Sequence, residues 1–251
     1  MKKVCTLFLF VFVLLANCGL PEEYFLPPVP KTIRVSTVYT ADIPLPNIDS
    51  TLYPHFTNFK IFYRIYISDQ STDQQIVEDD TALMGQINST LRNNVNSINT
   101  DHTDTSITSN TVSNYFTNNR FCELQLEGQN IDTLLRTAGT VTIAFPSSNE
   151  LPNMEKGGSQ YNLIRPEKYI NGNTFRPETD DLYFFNTDEL NDNSFATTTQ
   201  NGDVAPNTSA TGTPRYTYVL MYIVTSGFNP TNLTTIYSIP TFIGIFRLPE
   251  K

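Results

Sequence analysis

Phe56-Thr57-Asn58-Phe59-Lys60-Ile61-Phe62-Tyr63-Arg64-Ile65-Tyr66-Ile67-Ser68 is the stretch on which the fold class turns. Phe59, Ile61, Tyr63, Ile65 and Ile67 alternate with Asn58, Lys60, Phe62, Arg64 and Tyr66. That period of two sends successive side chains to opposite faces of a β-strand. Aromatic and β-branched residues dominate it, and neither Gly nor Pro interrupts it.

Working outward, residues 32–39 read as a first strand with Ile33, Val35, Thr37 and Tyr39 on one face. The next stretch, 43–54, carries Pro44, Pro46 and Pro54, which cannot donate to a ladder, so it reads as edge or loop. Strand patterns resume over 120–126, where Cys122, Leu124 and Leu126 share a face, and over 140–145; both read as half-buried. Residues 215–225 are apolar on both faces and read as a central strand. A loop through Gly227, Asn229 and Pro230 then leads to Ile236-Tyr237 and a last strand over 241–248. Met84, Ile87, Leu91, Val95 and Ile98 recur at spacings of three and four, which predicts one helix capped by Asp80 or Thr81. Residues 100–110 read as a loop, 146–182 as a long irregular stretch, and 186–214 as polar and without pattern.

Many short strands, long connections and one helix predict a mainly β fold, a β-sandwich with long loop insertions near 69–118 and 147–214. The alternating segment 59–66 is similar to a central strand of fibronectin type III or immunoglobulin-like domains, over that one strand. The resemblance implies an immunoglobulin-like or fibronectin III-like sandwich. The tryptophan and paired cysteines of antibody domains are missing, since the chain has no Trp. Residues 31–251 read as one domain.

The N-terminus carries a different signal. Lys2 and Lys3 precede an apolar run over 4–16, about thirteen residues against the roughly twenty that a spanning helix needs, so it reads as a signal peptide. The run ends in Leu15-Ala16-Asn17-Cys18. This tetrapeptide resembles the lipobox of bacterial lipoproteins, with Asn17 in place of the usual Gly, Ala or Ser, as in the relaxed lipoboxes of spirochaete lipoproteins. The resemblance covers about twenty residues and implies that 1–17 are removed. Cys18 would then carry a diacylglycerol and an N-acyl chain and hold the protein to a membrane of the cell envelope, outside the cytoplasm. Several buried acyl chains, each methylene contributing about 0.8 kcal/mol, make such attachment essentially permanent. Pro21, Pro27, Pro28 and Pro30 make 18–30 a stiff tether expected to lift the domain off the membrane.

Charge and cysteines fit that reading. The formal net charge of −9 becomes more negative once Lys2 and Lys3 leave, which argues against nucleic acid as a partner through simple attraction. Loss of Cys5 and acylation of Cys18 leave Cys122 alone, so no disulfide joins two parts of the mature chain. Cys122 itself reads as a small buried hydrophobe.

No HExxH, paired Cys and His spacing, GxxxxGK[ST] or GxSxG occurs, and His55 and His102 are the two histidines. Zinc, nucleotide and serine-hydrolase chemistry lack a sequence basis, and the chain reads as a non-enzyme without metal or cofactor beyond its acyl groups. Glu178, Asp180, Asp181, Asp188, Glu189 and Asp192 match no calcium-loop spacing and read as a solvated acidic loop.

Within 160–186, Tyr161, Tyr169, Phe175 and Tyr183 to Phe185 interleave with Arg165, Lys168 and Arg176. Aromatic area and forked donors together suit a small molecule, glycan or peptide, which marks Tyr161, Arg165, Lys168, Tyr169, Phe175 and Arg176 as candidate ligand residues. The plainer reading is a loop folded back with its aromatics seated on the core. The functional expectation is a structural or protein-interaction lipoprotein facing an envelope or host protein, with a ligand-binding lipoprotein as the alternative.

Overall fold

The computed structural model describes residues 26–30, 34–37, 39–68, 109–146, 150–165, 185, 203, 216–230 and 233–248. The described residues form a mainly β fold of two antiparallel sheets. The strands are β1 (Arg34–Thr37), β2 (Thr40–Leu45), β3 (Phe56–Ser68), β4 (Cys122–Glu123), β5 (Gln125–Leu126), β6 (Gly139–Ala144), β7 (Asn153–Lys156), β8 (Ser159–Ile164), β9 (Tyr216–Asn229), β10 (Thr234–Tyr237) and β11 (Thr241–Arg247). One sheet runs β1-β2-β6-β7-β8-β5. The other runs β4-β3-β9, with β10 and β11 sharing the far side of β9.

β3 occupies the residues its alternation predicts, and it pairs with β9 from Phe56↔Gly227 to Ser68↔Tyr216. Phe59, Ile61, Tyr63 and Ile65 face the first sheet, as do Val219, Met221 and Ile223 of β9. They meet Ala41, Ile43 and Leu45 of β2, Val141 and Ile143 of β6, Met154 of β7 and Leu163 of β8 in one core. β9 is buried on both faces as expected, but it continues through Gly227 to Asn229, where a loop was expected.

The reverse face of β3 and β9 is covered by α1 (Ser109–Asn118), a helix that begins inside the expected loop 100–110. Its sequence is rich in Asn, Ser and Thr, poor helix formers, so packing must hold it. Phe116 stacks on Phe62 with ring centroids 4.3 Å apart and meets Phe121 at 5.2 Å. The helix ends in a Schellman turn: the N–H of Phe121 donates to the Phe116 carbonyl at 2.8 Å and that of Arg120 to Thr117 at 3.2 Å. Arg120 takes the left-handed conformation, φ 59°, where Gly is usual. The helix expected from Met84 to Ile98 lies outside the described residues.

Two further expectations are corrected, and the edge reading of Pro44 gains its physical reason. The 120–126 strand is a corner: β4 pairs with β3, β5 pairs with β8, and Leu124 between them donates its N–H to the Ile61 carbonyl at 2.8 Å. Cys122, Leu124 and Leu126 keep the shared, buried face that was read for them. Within 146–182, expected to be irregular, β7 and β8 form a hairpin across Gly157 and Gly158, whose φ values of 62° and 79° suit a type I′ turn. Pro44 lies within a strand, β2, but at a position that β1, which pairs only with residues 40–42, leaves uncovered; a proline is tolerated at such an edge. A single helical turn, α2 (Ile131–Leu134), starts where the Asn130 side chain accepts from the Asp132 N–H.

The expected tether also changes. Leu26 and Val29 are buried, and Val29 belongs to the core between the sheets. Thr225 Oγ1 donates to the Pro27 carbonyl at 2.6 Å, and Thr241 Oγ1 to that of Val29 at 2.7 Å. The last five residues of the 18–30 stretch are thus a piece of the domain, because Leu26 and Val29 are buried against it.

Gly227 sits beneath this segment. A Cβ there would overlap the His55 carbonyl oxygen and press on Leu26 Cδ1 at 2.9 Å. Since the first obstacle is backbone, Gly227→Ala is expected to lower stability by about 2–3 kcal/mol, read as a lower urea midpoint at unchanged slope.

Candidate functional site

Two features of the fold stand apart from its apolar packing: the end at which the N-terminal segment enters, and a buried polar clamp near the other end. The entry end is built by the start of β3, the end of β9 and the turn before β3. In that turn Asp49 caps its own backbone, Oδ1 accepting from the Thr51 N–H at 2.8 Å and from Thr51 Oγ1 at 2.6 Å. The Asp49 carbonyl accepts from the N–H groups of Leu52 and Tyr53 at 3.1 and 2.8 Å. His55 follows, and its carbonyl accepts from the Phe228 N–H at 2.9 Å, tying the turn to β9. Leu26 packs at Gly227 of the same end. Ser68, the last residue of β3, and Tyr216, the first of β9, pair at the opposite end of these two strands.

The clamp joins Arg165, at the end of β8, to Asp203 and Tyr63. Arg165 Nε donates to Asp203 Oδ2 at 2.7 Å and Nη2 to Oδ1 at 2.6 Å, a bidentate pair with both side chains fully buried. Tyr63 Oη donates to Asp203 Oδ2 at 2.9 Å. The Asp203 carbonyl accepts from the Ile65 N–H at 2.9 Å. Burial opposes the guanidinium charge, yet the Asp203 carboxylate outweighs it and holds Arg165 protonated. Burial, and then the Asp203 charge, push the Tyr63 phenol well above its ordinary value of 10.0. Phe185, also buried, meets the Tyr63 ring edge-on at 5.1 Å and Phe145 at 6.2 Å. A charge pair with its donors and acceptors satisfied fastens distant segments to the sheet.

Of the candidate ligand residues, Arg165 turns its fork inward onto Asp203, because an unpaired guanidinium at this depth would be prohibitively costly. Tyr161 is half-buried and packs against the core. Lys168, Tyr169, Phe175 and Arg176 lie outside the described residues, as do Cys18 and the acidic cluster 178–192. Asp203 was missed, since nothing near it in sequence marks a partner. Phe185 sits in the core, as the folded-back reading of its segment requires. Among the described residues no group of three or more His, Cys, Asp or Glu side chains could hold a metal ion, and no helix is long and apolar enough to cross a membrane.

No family profile, known protein or solved structure matches this chain.

Two outcomes test the clamp. Arg165→Met, which strands the Asp203 carboxylate, is expected to cost about 3–5 kcal/mol, and adding Asp203→Leu should restore much of the loss in a double-mutant cycle. Above pH 10.0 the unfolded tyrosine ionises while buried Tyr63 keeps its proton. The native state then binds the extra proton, so stability falls as pH rises. Tyr63→Phe should flatten this alkaline limb while lowering neutral-pH stability by about 1.5–3 kcal/mol.

Proposed function

We propose that this chain is a bacterial envelope lipoprotein, anchored outside the cytoplasm through acylated Cys18, that presents its β domain as a structural or protein-interaction module. The observation that carries the reading is Leu15-Ala16-Asn17-Cys18 at the end of a short apolar run, followed within about eight residues by the buried Leu26. Such a spacing couples an acyl anchor directly to the core of the domain. The polarity of the fold supports the same reading. Leu26 is seated at the Phe56 and Gly227 end, whereas Ser68 and Tyr216 pair at the opposite end. The end remote from the anchor would face away from the membrane, where it could meet a partner in the envelope or on a host.

The intact mass of the protein recovered from its native membranes, beside a Cys18→Ala variant, tests the reading. The expected mass is that of residues 18–251 with a diacylglycerol and an N-acyl chain, absent from the variant, which should leave the membrane fraction. An unacylated mature chain beginning elsewhere would overturn the proposal.

A further inference from the structure

Among the described residues four large apolar side chains stand exposed: Leu52 at 71 %, Leu151 at 36 %, Phe228 at 42 % and Leu233 at 74 %. Single exposed leucines are ordinary, but three of these belong to one end of the fold. Leu52 tops the Asp49 turn, Phe228 is bonded to His55 of the adjoining segment, and Leu233 lies in the β9–β10 hairpin beside the Asn229↔Thr234 pair. This is the end where Leu26 is seated.

We infer that this end rests on the lipid surface that holds Cys18, with Leu52, Phe228 and Leu233 entering the boundary between headgroups and acyl chains. The inference builds on the lipid-anchor reading and adds an orientation to it. Three observations argue for lipid as the occupant. First, from Cys18 to Leu26 the chain makes about eight steps and spans at most about 28 Å, whereas the thirteen residues of β3 extend over about 43 Å. The anchored end is thus held within reach of the bilayer. Second, Leu233 has φ 58°, a left-handed conformation that Gly or Asn adopts at lower cost, and its side chain is the most exposed of the four. Strain and exposure together are poor choices for stability at a hairpin tip, and a neighbouring apolar phase compensates the exposure. Third, the residues are Leu and Phe on an acidic chain, so the contact is apolar insertion rather than attraction to anionic headgroups. Because the anchor makes this contact intramolecular, weak insertion is enough to orient the domain.

The test uses the full acylated protein in phosphatidylcholine vesicles, with or without bromine on the acyl chains. A polarity-sensitive fluorophore is placed on Leu233→Cys or, at the end of the first sheet where β6 gives way to β7, on Leu151→Cys; Cys122 is buried, and unlabelled wild type serves as its control. Bromolipid should quench the label at 233 about twofold and shift its emission to the blue, while the label at 151 changes little. Adding Leu52→Ser and Phe228→Ser should remove most of the quenching. Equal quenching at both positions, or none at 233 when mass shows acylated Cys18, overturns the orientation while leaving the anchor standing. Self-quenching at 233 that grows with protein density in plain vesicles points to a second copy at this end and also overturns it. A mass without acyl groups defeats the anchor reading itself.

Discussion

The pairing of β3 with β9 is the constraint on which the other elements depend. It joins residues more than a hundred positions apart into one ribbon, in register from Asn58↔Ser226 to Ser68↔Tyr216, with a bulge between Asn58 and the Phe56↔Gly227 pair. Both faces are apolar, so neither can be left to water. One face collects the first sheet and the other collects α1 and Phe121. The corner at Leu124 hangs on the Ile61 carbonyl, the N-terminal segment on Thr225, and Asp203 on the Ile65 N–H and the Tyr63 hydroxyl. A ribbon with so many dependants closes a long loop before its contacts are made, which places the fold among topologies of high contact order.

Two charged side chains on this ribbon, Arg64 and Lys60, are accommodated by local geometry. Arg64 lies with its guanidinium 4.5 Å from the Tyr66 ring centroid and 4.7 Å from that of Phe121, and Nη1 donates to the Asn119 carbonyl at 2.9 Å. A cation at the C-terminal end of α1 complements the helix dipole while its stem fills the aromatic layer. Lys60, nearer the entry end, reaches Glu123 at 2.7 Å and Asp132 at 3.8 Å and so links β4 and α2 to β3. On the inner face the Arg165–Asp203 pair does the same for residues far away in sequence. Such pairs add little net stability compared with apolar packing but are costly to break, so they specify which segments dock where.

The same ribbon gives the domain two unlike ends. At one, Leu26 and Val29 bring the chain in from the Cys18 side, and Gly227 leaves room for them beside the His55 backbone. At the other, Ser68 pairs with Tyr216 beyond the Arg165–Asp203 clamp. A module entered by its N-terminal segment at one end has a defined direction, which the proposed lipid anchor would convert into an orientation at a membrane.

The alternation over 56–68, the doubly apolar 216–225 and the shared face of Cys122, Leu124 and Leu126 were legible because burial imposes a period on consecutive residues. The mainly β class followed from them, and the last strand, expected over 241–248, is β11, whereas β10 was not read as a strand. The β7–β8 hairpin was missed although Gly157-Gly158 announced its turn, since Asn153, Glu155 and Lys156 leave one strand with little apolar pattern. α1 was missed because Val112 and Phe116 are too few to outweigh Asn, Ser and Thr; its stability comes from the aromatic face it covers. Of the candidate ligand residues, Tyr161 and Arg165 were placed, and Arg165 proved to serve the interior through a partner thirty-eight positions away. The sequence by itself determined the β class, the central strands and the expectation of an anchor at Cys18, for these rest on local runs and spacings. The tertiary structure alone decided that the 120–126 strand bends between sheets, that 26–30 belongs to the core and that Arg165 is sealed with Asp203, because each depends on a contact between residues that no local pattern connects.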